Sequence, residues 1–223
     1  MTHTQAPLNF IEKYYTDDLS ERDTKEAIWS LRWLKNVSGD NVLSVGCGPN
    51  FYDDVQFFAN IPKHFVGIDI NQNNIEFLKT SKHPELLKWK RFLNEQNVDI
   101  GLIINDIKEE RGGFVRRFDA IYAIGVLGMF SEEDTSKIFN LLNSYLKKDG
   151  KLIDIDWTEP YLPKEKLEER KNYEWYSKQG PSIQRIGNIM KEAGFEILKH
   201  EVYNVPDPKS YSWEKIYAYV AKK

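Results

Sequence analysis

Short apolar runs alternate with amphipathic stretches along most of the chain. Five of the runs have the length and composition of β-strands, at about 42–45, 64–69, 101–105, 118–124 and 151–156. Most of the stretches between them carry apolar residues at helical spacing. Because strands that alternate with helices form parallel sheets covered on both faces, the pattern predicts a doubly wound α/β sheet.

Local start and stop signals delimit the predicted helices. A first helix precedes the first strand, with an N-cap at Asp23 or Thr24 and an apolar stripe of Ala27, Ile28, Leu31 and Leu34. Further helices are predicted at 51–60, over 72–95 as one helix or two, after Ser131 and after Pro181. The helix after Ser131 ends before Gly150, and the last one ends at Gly194.

Two more strand-like runs, at 195–203 and 213–221, close the chain. A crossover that joins parallel strands needs a dozen or more residues, and the segment between these runs is shorter. The final pair is therefore predicted to be an antiparallel hairpin.

Composition narrows the functional classes. Apolar residues make up 41% of the 223 residues, charged residues 29%, and the formal net charge is −3, without a basic tract, so no nucleic-acid partner is expected. Cys47 is the sole cysteine, which disfavours a disulfide or a cysteine-based metal site. No apolar run reaches the ~20 residues that span a bilayer, and the first residues lack a signal peptide's apolar core. We expect a cytoplasmic monomer or homodimer without a membrane or metal partner.

A glycine turn and an acid form the first candidate site. Gly46 and Gly48 follow the first strand, and Asp69 closes the second about twenty residues later. Glycines there let the backbone approach a ligand, and the acid can accept hydrogen bonds from both hydroxyls of a ribose. A ligand-free tight turn and a helix N-cap at Asp69 are the alternatives. Phe51 replaces the third glycine of dinucleotide-binding turns and is expected to obstruct a pyrophosphate, which favours a cofactor without phosphate.

Two further acids close predicted strands. Asp106 ends the third, and Asp156 ends the fifth, with Asp154 two residues earlier on the same face of the sheet. Because ligands of open α/β sheets bind beyond the carboxyl ends of the strands, Asp156 is expected at the rim of the site and Asp154 deeper. Trp157 and Tyr161 follow, and an acid among aromatic rings suits a cationic or amine-bearing substrate. A loop-capping Asp106 and an Asp156 held by backbone N–H groups are the alternatives.

The strands, the terminal hairpin and the glycine turn together resemble the class I S-adenosyl-L-methionine (SAM) dependent methyltransferases over residues 10–222. The resemblance implies one Rossmann-like domain, 1–223, with seven strands in the order 3-2-1-4-5-7-6, mostly parallel with a C-terminal antiparallel hairpin. Residues 1–40 would form a helical cap or lid, and 157–180 an insertion on the substrate side. It also implies an enzyme that uses SAM and releases S-adenosyl-L-homocysteine.

A narrower resemblance is to the nicotinamide, phenylethanolamine and indolethylamine N-methyltransferase group. It rests on four segments: NFIEKYY at 9–15, GCGPNFY at 46–52, DINQNN at 69–74 and KEAGFEIL at 191–198. It implies cofactor contacts at Tyr15, Gly46, Cys47, Gly48, Tyr52, Asp69, Ile70, Asn74, Asp106 and Ile107. It implies substrate contacts at Phe10, Asp156, Trp157 and Tyr161, with Asp156 orienting the acceptor.

Within that resemblance, the glycine turn meets the methionine part of SAM and Tyr52 approaches its carboxylate. Asp69 and Asn74 meet the ribose, and Asp106 with Ile107 meets the adenine. Ser44 departs from the class, because most members have there an acid that helps to hold the methionine ammonium. The segment GVLGMF, at 125–130, also lacks the polar residues that many relatives place after the fourth strand.

The acceptor is expected to be the amine or pyridine nitrogen of a small molecule. A hydroxyl acceptor needs a nearby base, and no histidine lies at the carboxyl end of a predicted strand. O-methylation of a small molecule, methylation of a protein or RNA, SAM binding without catalysis, and a nucleotide-dependent oxidoreductase are the alternatives.

Overall fold

A computed structural model describes residues 11, 13, 15, 16, 24–108, 113–160, 182–206 and 213–223, and only the backbone of 129, 158–160, 213 and 214. Two residues of the predicted substrate site, Phe10 and Tyr161, lie outside the described residues. So does the predicted insertion from 161 onward.

Seven strands form one sheet in the order β3-β2-β1-β4-β5-β7-β6, which confirms the expected topology. Strands β1 to β5 pair in parallel, and β7 runs antiparallel to both β5 and β6. The strands are β1 (Asn41–Val45), β2 (His64–Asp69), β3 (Asp99–Ile104), β4 (Phe118–Ile124), β5 (Leu146–Pro160), β6 (Glu196–Asn204) and β7 (Trp213–Lys222).

Strand β5 extends four residues beyond its predicted end. Its pairing with β4 stops at Ile155, but its pairing with β7 continues as far as Pro160, opposite Trp213. Asp156 therefore lies inside β5 and not at its end, so that prediction was wrong. It still lies just past the end of β4, at the carboxyl edge of the parallel part of the sheet.

Five α-helices and three short 3₁₀ helices have defined bounds in the described part of the chain, and the described residues 11, 13, 15 and 16 are also helical. The α-helices are α1 (Lys25–Leu31), α2 (Gln72–Thr80), α3 (Pro84–Glu95), α4 (Glu132–Tyr145) and α5 (Ile183–Glu192). The 3₁₀ helices are Arg32–Asn36, Asp53–Phe57 and Leu127–Met129. The side chains of Thr24, Ser131 and Ser182 each accept a backbone N–H at a helix start, and Thr24 and Ser131 were predicted to do so.

Two helix predictions were wrong in detail. The helix predicted at 51–60 is only the 3₁₀ helix Asp53–Phe57. Its adjacent acids Asp53 and Asp54 are both buried, whereas consecutive residues of a regular α-helix do not lie on the same face. The stripe predicted for α1 also shifts, because Ile28 is 56% exposed while Trp29, Trp33 and Leu34 are buried. Trp29 packs instead on Tyr203 of β6, with ring centroids 5.5 Å apart.

Helices cover both faces of the sheet. One buried cluster joins α1, α2 and α3 to the sheet, and a second joins α4 and α5 to its other face. None of the described helices has both the length and the apolar character needed to cross a bilayer.

Candidate active site

The turn after β1 meets the turn after β4. Gly46 and Gly48 both have left-handed backbones, with φ of +61° and +55°, which favours glycine. A Cβ on Gly46 would lie 2.3 Å from Cγ2 of Val126, whereas a Cβ on Gly48 would meet nothing closer than 3.9 Å. The two turns therefore touch beside Gly46 and leave space beside Gly48. The two turns meet between β1 and β4, where the strand order reverses and ligands of open α/β sheets bind.

Asp69 lies beside this turn at the end of β2, 7% exposed. Its Oδ2 accepts the N–H of Gly48 at 2.9 Å and the side-chain amide of Asn74 at 3.0 Å, and its Oδ1 accepts the N–H of Asn71 at 2.7 Å. A carboxylate has about four lone pairs, so these bonds leave one, on Oδ1. The carboxylate is thus fixed in place with room for one ribose hydroxyl, and the amide oxygen of Asn74 can accept the other.

The N-cap alternative for Asp69 was wrong. The side chain that caps α2 is Asn71, which accepts the N–H of Asn73 at 3.0 Å. Asp69 instead accepts the backbone N–H groups of Gly48 and Asn71 and so holds the turn after β1 beside the end of β2.

Ile70 follows β2, and Asp106 and Ile107 follow β3, at the same carboxyl edge of the sheet as Asp69. Ile70 is 40% exposed and offers apolar surface for a ring to cover, whereas Ile107 is 6% exposed and packs in the core. Asp106 Oδ1 accepts the N–H of Lys108 at 2.9 Å, so the loop-capping role considered for it is present. Its Oδ2 lies 3.8 Å from Lys108 Nζ.

Cys47 contributes its backbone to the turn after β1, and its buried thiol is not reactive. Its N–H donates to Ile68 at 3.1 Å, and its Sγ lies 2.9 Å from where a Cβ on Gly67 would be. Burial raises the pKa of the thiol well above its usual value, and the charges of Asp69 and Asp54 raise it further. The thiol is therefore protonated and faces the core.

Phe51, which stands where dinucleotide-binding turns have a third glycine, packs in the core. Its fully buried ring stacks on Phe65 with centroids 4.0 Å apart and lies against Gly67 of β2. A Cβ on Gly67 would be 2.9 Å from this ring. In dinucleotide-binding turns the third glycine lets the helix pack closely on the strand. Here Gly67 of β2 provides that space for the Phe51 ring.

Tyr15 ties the N-terminal segment to the turn region. It is fully buried, its hydroxyl donates to Asp53 Oδ2 at 2.5 Å, and its ring packs on Phe77 and His83 with centroids 5.3 and 5.0 Å away. Tyr52 lies next to Asp53, 7% exposed, and burial raises its pKa to about 12, so its hydroxyl is a neutral donor.

Tyr15→Phe is expected to destabilise the fold by about 1.5–3 kcal/mol, the range for a hydrogen bond to a charged group. The ring packing is kept, so the change reports on the hydroxyl that Asp53 accepts. Urea denaturation measures it, and unchanged stability would mean that this hydrogen bond does not form in solution.

A buried acid that sequence reasoning missed lies near Ser44. The Tyr122 hydroxyl donates to Asp54 Oδ2 at 2.9 Å and itself accepts from the Ser44 hydroxyl. Asp54 is 5% exposed. No local pattern reveals this link, because Tyr122 and Asp54 are 68 residues apart in sequence.

The segment 125–130 holds Asp156. Asp156 Oδ2 accepts the N–H of Gly128 at 2.5 Å, and Oδ1 accepts the N–H of Trp157 at 2.8 Å. The N–H groups of Leu127 and Val126 also stabilise its charge. Burial nevertheless raises the pKa of Asp156 to about 6. The alternative of a carboxylate held by backbone N–H groups is therefore present, and it explains why 125–130 needs no polar side chains.

Trp157 lies on the other face of β5 from Asp156 and packs on Gly125. Gly125 has φ of +67°, and a Cβ there would be 1.9 Å from Cζ3 of the indole. The N–H of Gly125 donates to Ile155 at 2.8 Å. Gly125 therefore packs against Trp157 and Gly128 against Asp156, on the two sides of the turn.

The arrangement fits SAM. Asp69 has an oxygen lone pair for the ribose, Ile70 has exposed apolar surface for the adenine, and Gly48 leaves open space beside the turn. Within the described residues, no group of three or more His, Cys, Asp or Glu side chains is placed to hold a metal ion.

Sequence comparison identifies the family. A model described as "Methyltransferase domain" matches residues 20–200, and the chain belongs to that family. A comparison with curated proteins found no match.

Solved structures share the fold at low sequence identity. A phosphoethanolamine N-methyltransferase 2 from Haemonchus contortus, in complex with phosphomonomethylethanolamine and S-adenosylhomocysteine, is 15% identical with a TM-score of 0.60. The match covers 88% of this chain and 52% of that one, so the chain spans about half of its length. A SAM-dependent methyltransferase from Mesorhizobium loti is 13% identical with a TM-score of 0.60, over 90% of this chain and 99% of that one. These matches do not support the narrower resemblance to the nicotinamide N-methyltransferase group.

Proposed function

We propose that the chain is a SAM-dependent methyltransferase whose methyl acceptor is the nitrogen of a small molecule, an amine or a pyridine. The observation that carries this proposal is the partly exposed indole of Trp157, which lies on the turn 125–128 beside the point where that turn meets Gly46. An indole face suits a cationic or aromatic nitrogen compound. A fold neighbour whose name describes N-methylation of phosphoethanolamine is consistent with it.

The described histidines also favour nitrogen over oxygen. His64 begins β2, His83 precedes α3 and His200 lies on β6, so none of these three is at the carboxyl edge beside the turn 125–128. A neutral nitrogen needs no strong base, whereas a hydroxyl does.

When bound, SAM supplies a methyl group on a positively charged sulfur, which leaves with the bonding electron pair. The protein's part is to align the acceptor with that bond and to exclude water. We assign the ribose to Asp69 and Asn74, the adenine to Ile70, Asp106 and Ile107, and the methionine part to Tyr15, Tyr52 and the turn 46–48. We assign the acceptor side to Asp156 and Trp157, together with Phe10, Tyr161 and the insertion 157–180.

Asp54 is the candidate for the negative charge that most class I methyltransferases carry at the position of Ser44. Its carboxylate lies one hydrogen-bonded link from the Ser44 hydroxyl, through Tyr122, and its charge reaches Cys47 in the cofactor turn. We assign to Asp54 the negative charge that offsets the ammonium of the methionine part.

Isothermal titration with S-adenosylhomocysteine, and with NAD in parallel, tests the cofactor assignment. We expect micromolar binding of the first ligand and none of the second. An acceptor screen by mass spectrometry then compares amines, pyridines and phenols at fixed SAM. Methylation of phenols with amines and pyridines untouched would overturn the nitrogen proposal.

A further inference from the structure

Asp154 and Asp156 form a buried carboxyl pair on one face of β5. They are 0% and 2% exposed. The antiparallel register places Tyr219 opposite Asp154 and Tyr217 opposite Asp156, on the face that α5 covers. Asp156 is next to the turn 125–128, and Asp154 is two residues deeper in the sheet.

Neither carboxylate forms an ion pair with a described residue. Arg185 of α5 pairs with Glu132 and Glu192, and Lys108, which follows β3, pairs with Asp106 and Asp134. The described titratable groups that face the pair are the phenols of Tyr217 and Tyr219, with the exposed ring of His200 stacked on Tyr219 at 5.6 Å. Two like charges in such a buried site do not both ionise at neutral pH.

The two environments decide where the proton lies. The charge on Asp156 is stabilised by the N–H groups of Gly128 and Trp157. The Tyr217 hydroxyl lies near Asp154 and lowers its pKa, but no described donor meets either Asp154 oxygen in hydrogen-bond geometry. The proton therefore favours Asp154 and the charge favours Asp156.

We propose that this pair holds one proton at neutral pH, on Asp154, and that the Asp156 carboxylate is a positioning residue that acts on methyl transfer through the turn 125–128. The role in transfer rests on the function proposed above, whereas the protonation state does not. The turn carries Val126, which touches Gly46, and Gly125, which seats Trp157. Loss of the carboxylate charge releases the N–H groups of this turn and displaces both contacts.

The sign of the pH dependence follows from burial, which raises the pKa of Asp156 to about 6. Acidification through that value protonates Asp156 and reduces methyl transfer. The folded chain binds this proton more tightly than the unfolded chain, so the same acidification stabilises the fold with respect to this group. Activity then falls without unfolding. Protonation of an amine or pyridine acceptor adds its own pH dependence, so the contribution of Asp156 is the part of the acidic limb that Asp156→Asn removes.

Two spectroscopic measurements on the intact chain test the pair without using activity. The emission of Trp157, taken as the difference between the wild type and Trp157→Phe, is expected to titrate near the pKa of Asp156. The titration should vanish in Asp156→Asn and persist in Asp154→Asn and His200→Gln. The infrared carbonyl band of a protonated buried carboxyl at neutral pH should be lost in Asp154→Asn and kept in Asp156→Asn.

Methyl transfer supplies the third readout. Asp156→Asn is expected to lower turnover about 100-fold, the scale of a small misplacement of reacting groups, and to remove the part of the acidic limb that titrates with Asp156. S-adenosylhomocysteine binding by Asp156→Asn should fall far less than turnover does, and the activity of His200→Gln should stay near wild type. A carbonyl band lost in Asp156→Asn and kept in Asp154→Asn, or an acidic limb of unchanged midpoint in Asp156→Asn, would overturn the inference. The expected spectra in a chain that methylates no small molecule at any pH would support the proton assignment and overturn the proposed function and the role in transfer.

Discussion

Asp69→Ala is expected to weaken S-adenosylhomocysteine binding by about 2 kcal/mol, or roughly 30-fold. The carboxylate accepts three hydrogen bonds within the protein, and its remaining lone pair on Oδ1 is available to a ribose hydroxyl. Removing it costs that charge-assisted bond and also frees the N–H of Gly48 beside the cofactor turn. Isothermal titration measures the affinity.

A ligand cycle separates the ribose contact from the effect on the turn. S-adenosylhomocysteine is compared with an analogue that lacks the ribose hydroxyls, on the wild type and on Asp69→Ala. The wild type should prefer the hydroxylated ligand, and the variant should lose most of that preference. A variant that discriminates as well as the wild type would place the ribose elsewhere. Asp99→Ala, an exposed acid at the amino end of β3, is the matched control and should bind both ligands as the wild type does.

The strands and helix starts were predictable because their signals are local, whereas the order of the strands in the sheet was implied by the resemblance to class I methyltransferases. Each apolar run has the length of a strand, Ser131 and Thr24 mark helix starts, and the short link before β7 rules out a crossover. Element ends were harder to predict. Strand β5 continues to Pro160 only because β7 remains beside it, and no residue of β5 itself signals that. Exposure of Ile28 likewise depends on Tyr203, which packs on Trp29 from a distant strand.

The site was predictable to different degrees on its two sides. On the cofactor side, Gly46, Gly48 and Asp69 follow one another at a spacing that the turn geometry requires, and they come together. On the proposed acceptor side, the segment GVLGMF has no polar side chain, because it contacts Asp156 through backbone N–H groups and Trp157 through the space that Gly125 leaves. Those features have no side-chain signature, and Asp156 with Trp157 shows them only in three dimensions.

Gly125→Ala is expected to destabilise the fold by about 2–4 kcal/mol and to reduce methyl transfer more than it reduces S-adenosylhomocysteine binding. The added Cβ would lie 1.9 Å from Cζ3 of Trp157, and the residue would have to keep φ at +67°. The indole must therefore move or the turn must, and the acceptor side is displaced in either case. Thermal unfolding and steady-state kinetics measure the two effects.

Gly48→Ala is the matched control for stability, because its φ is +55° but its nearest atom would be 3.9 Å away. It should cost only the left-handed strain, about 1 kcal/mol. Adding Trp157→Ala to Gly125→Ala removes the clash and leaves the strain, so the double variant should be more stable than the sum of the single effects. Equal costs for Gly125→Ala and Gly48→Ala, with additive double-variant energies, would contradict the contact between Trp157 and the turn. Non-additive energies would place the indole on Gly125 in solution, beside the point at which the two turns meet.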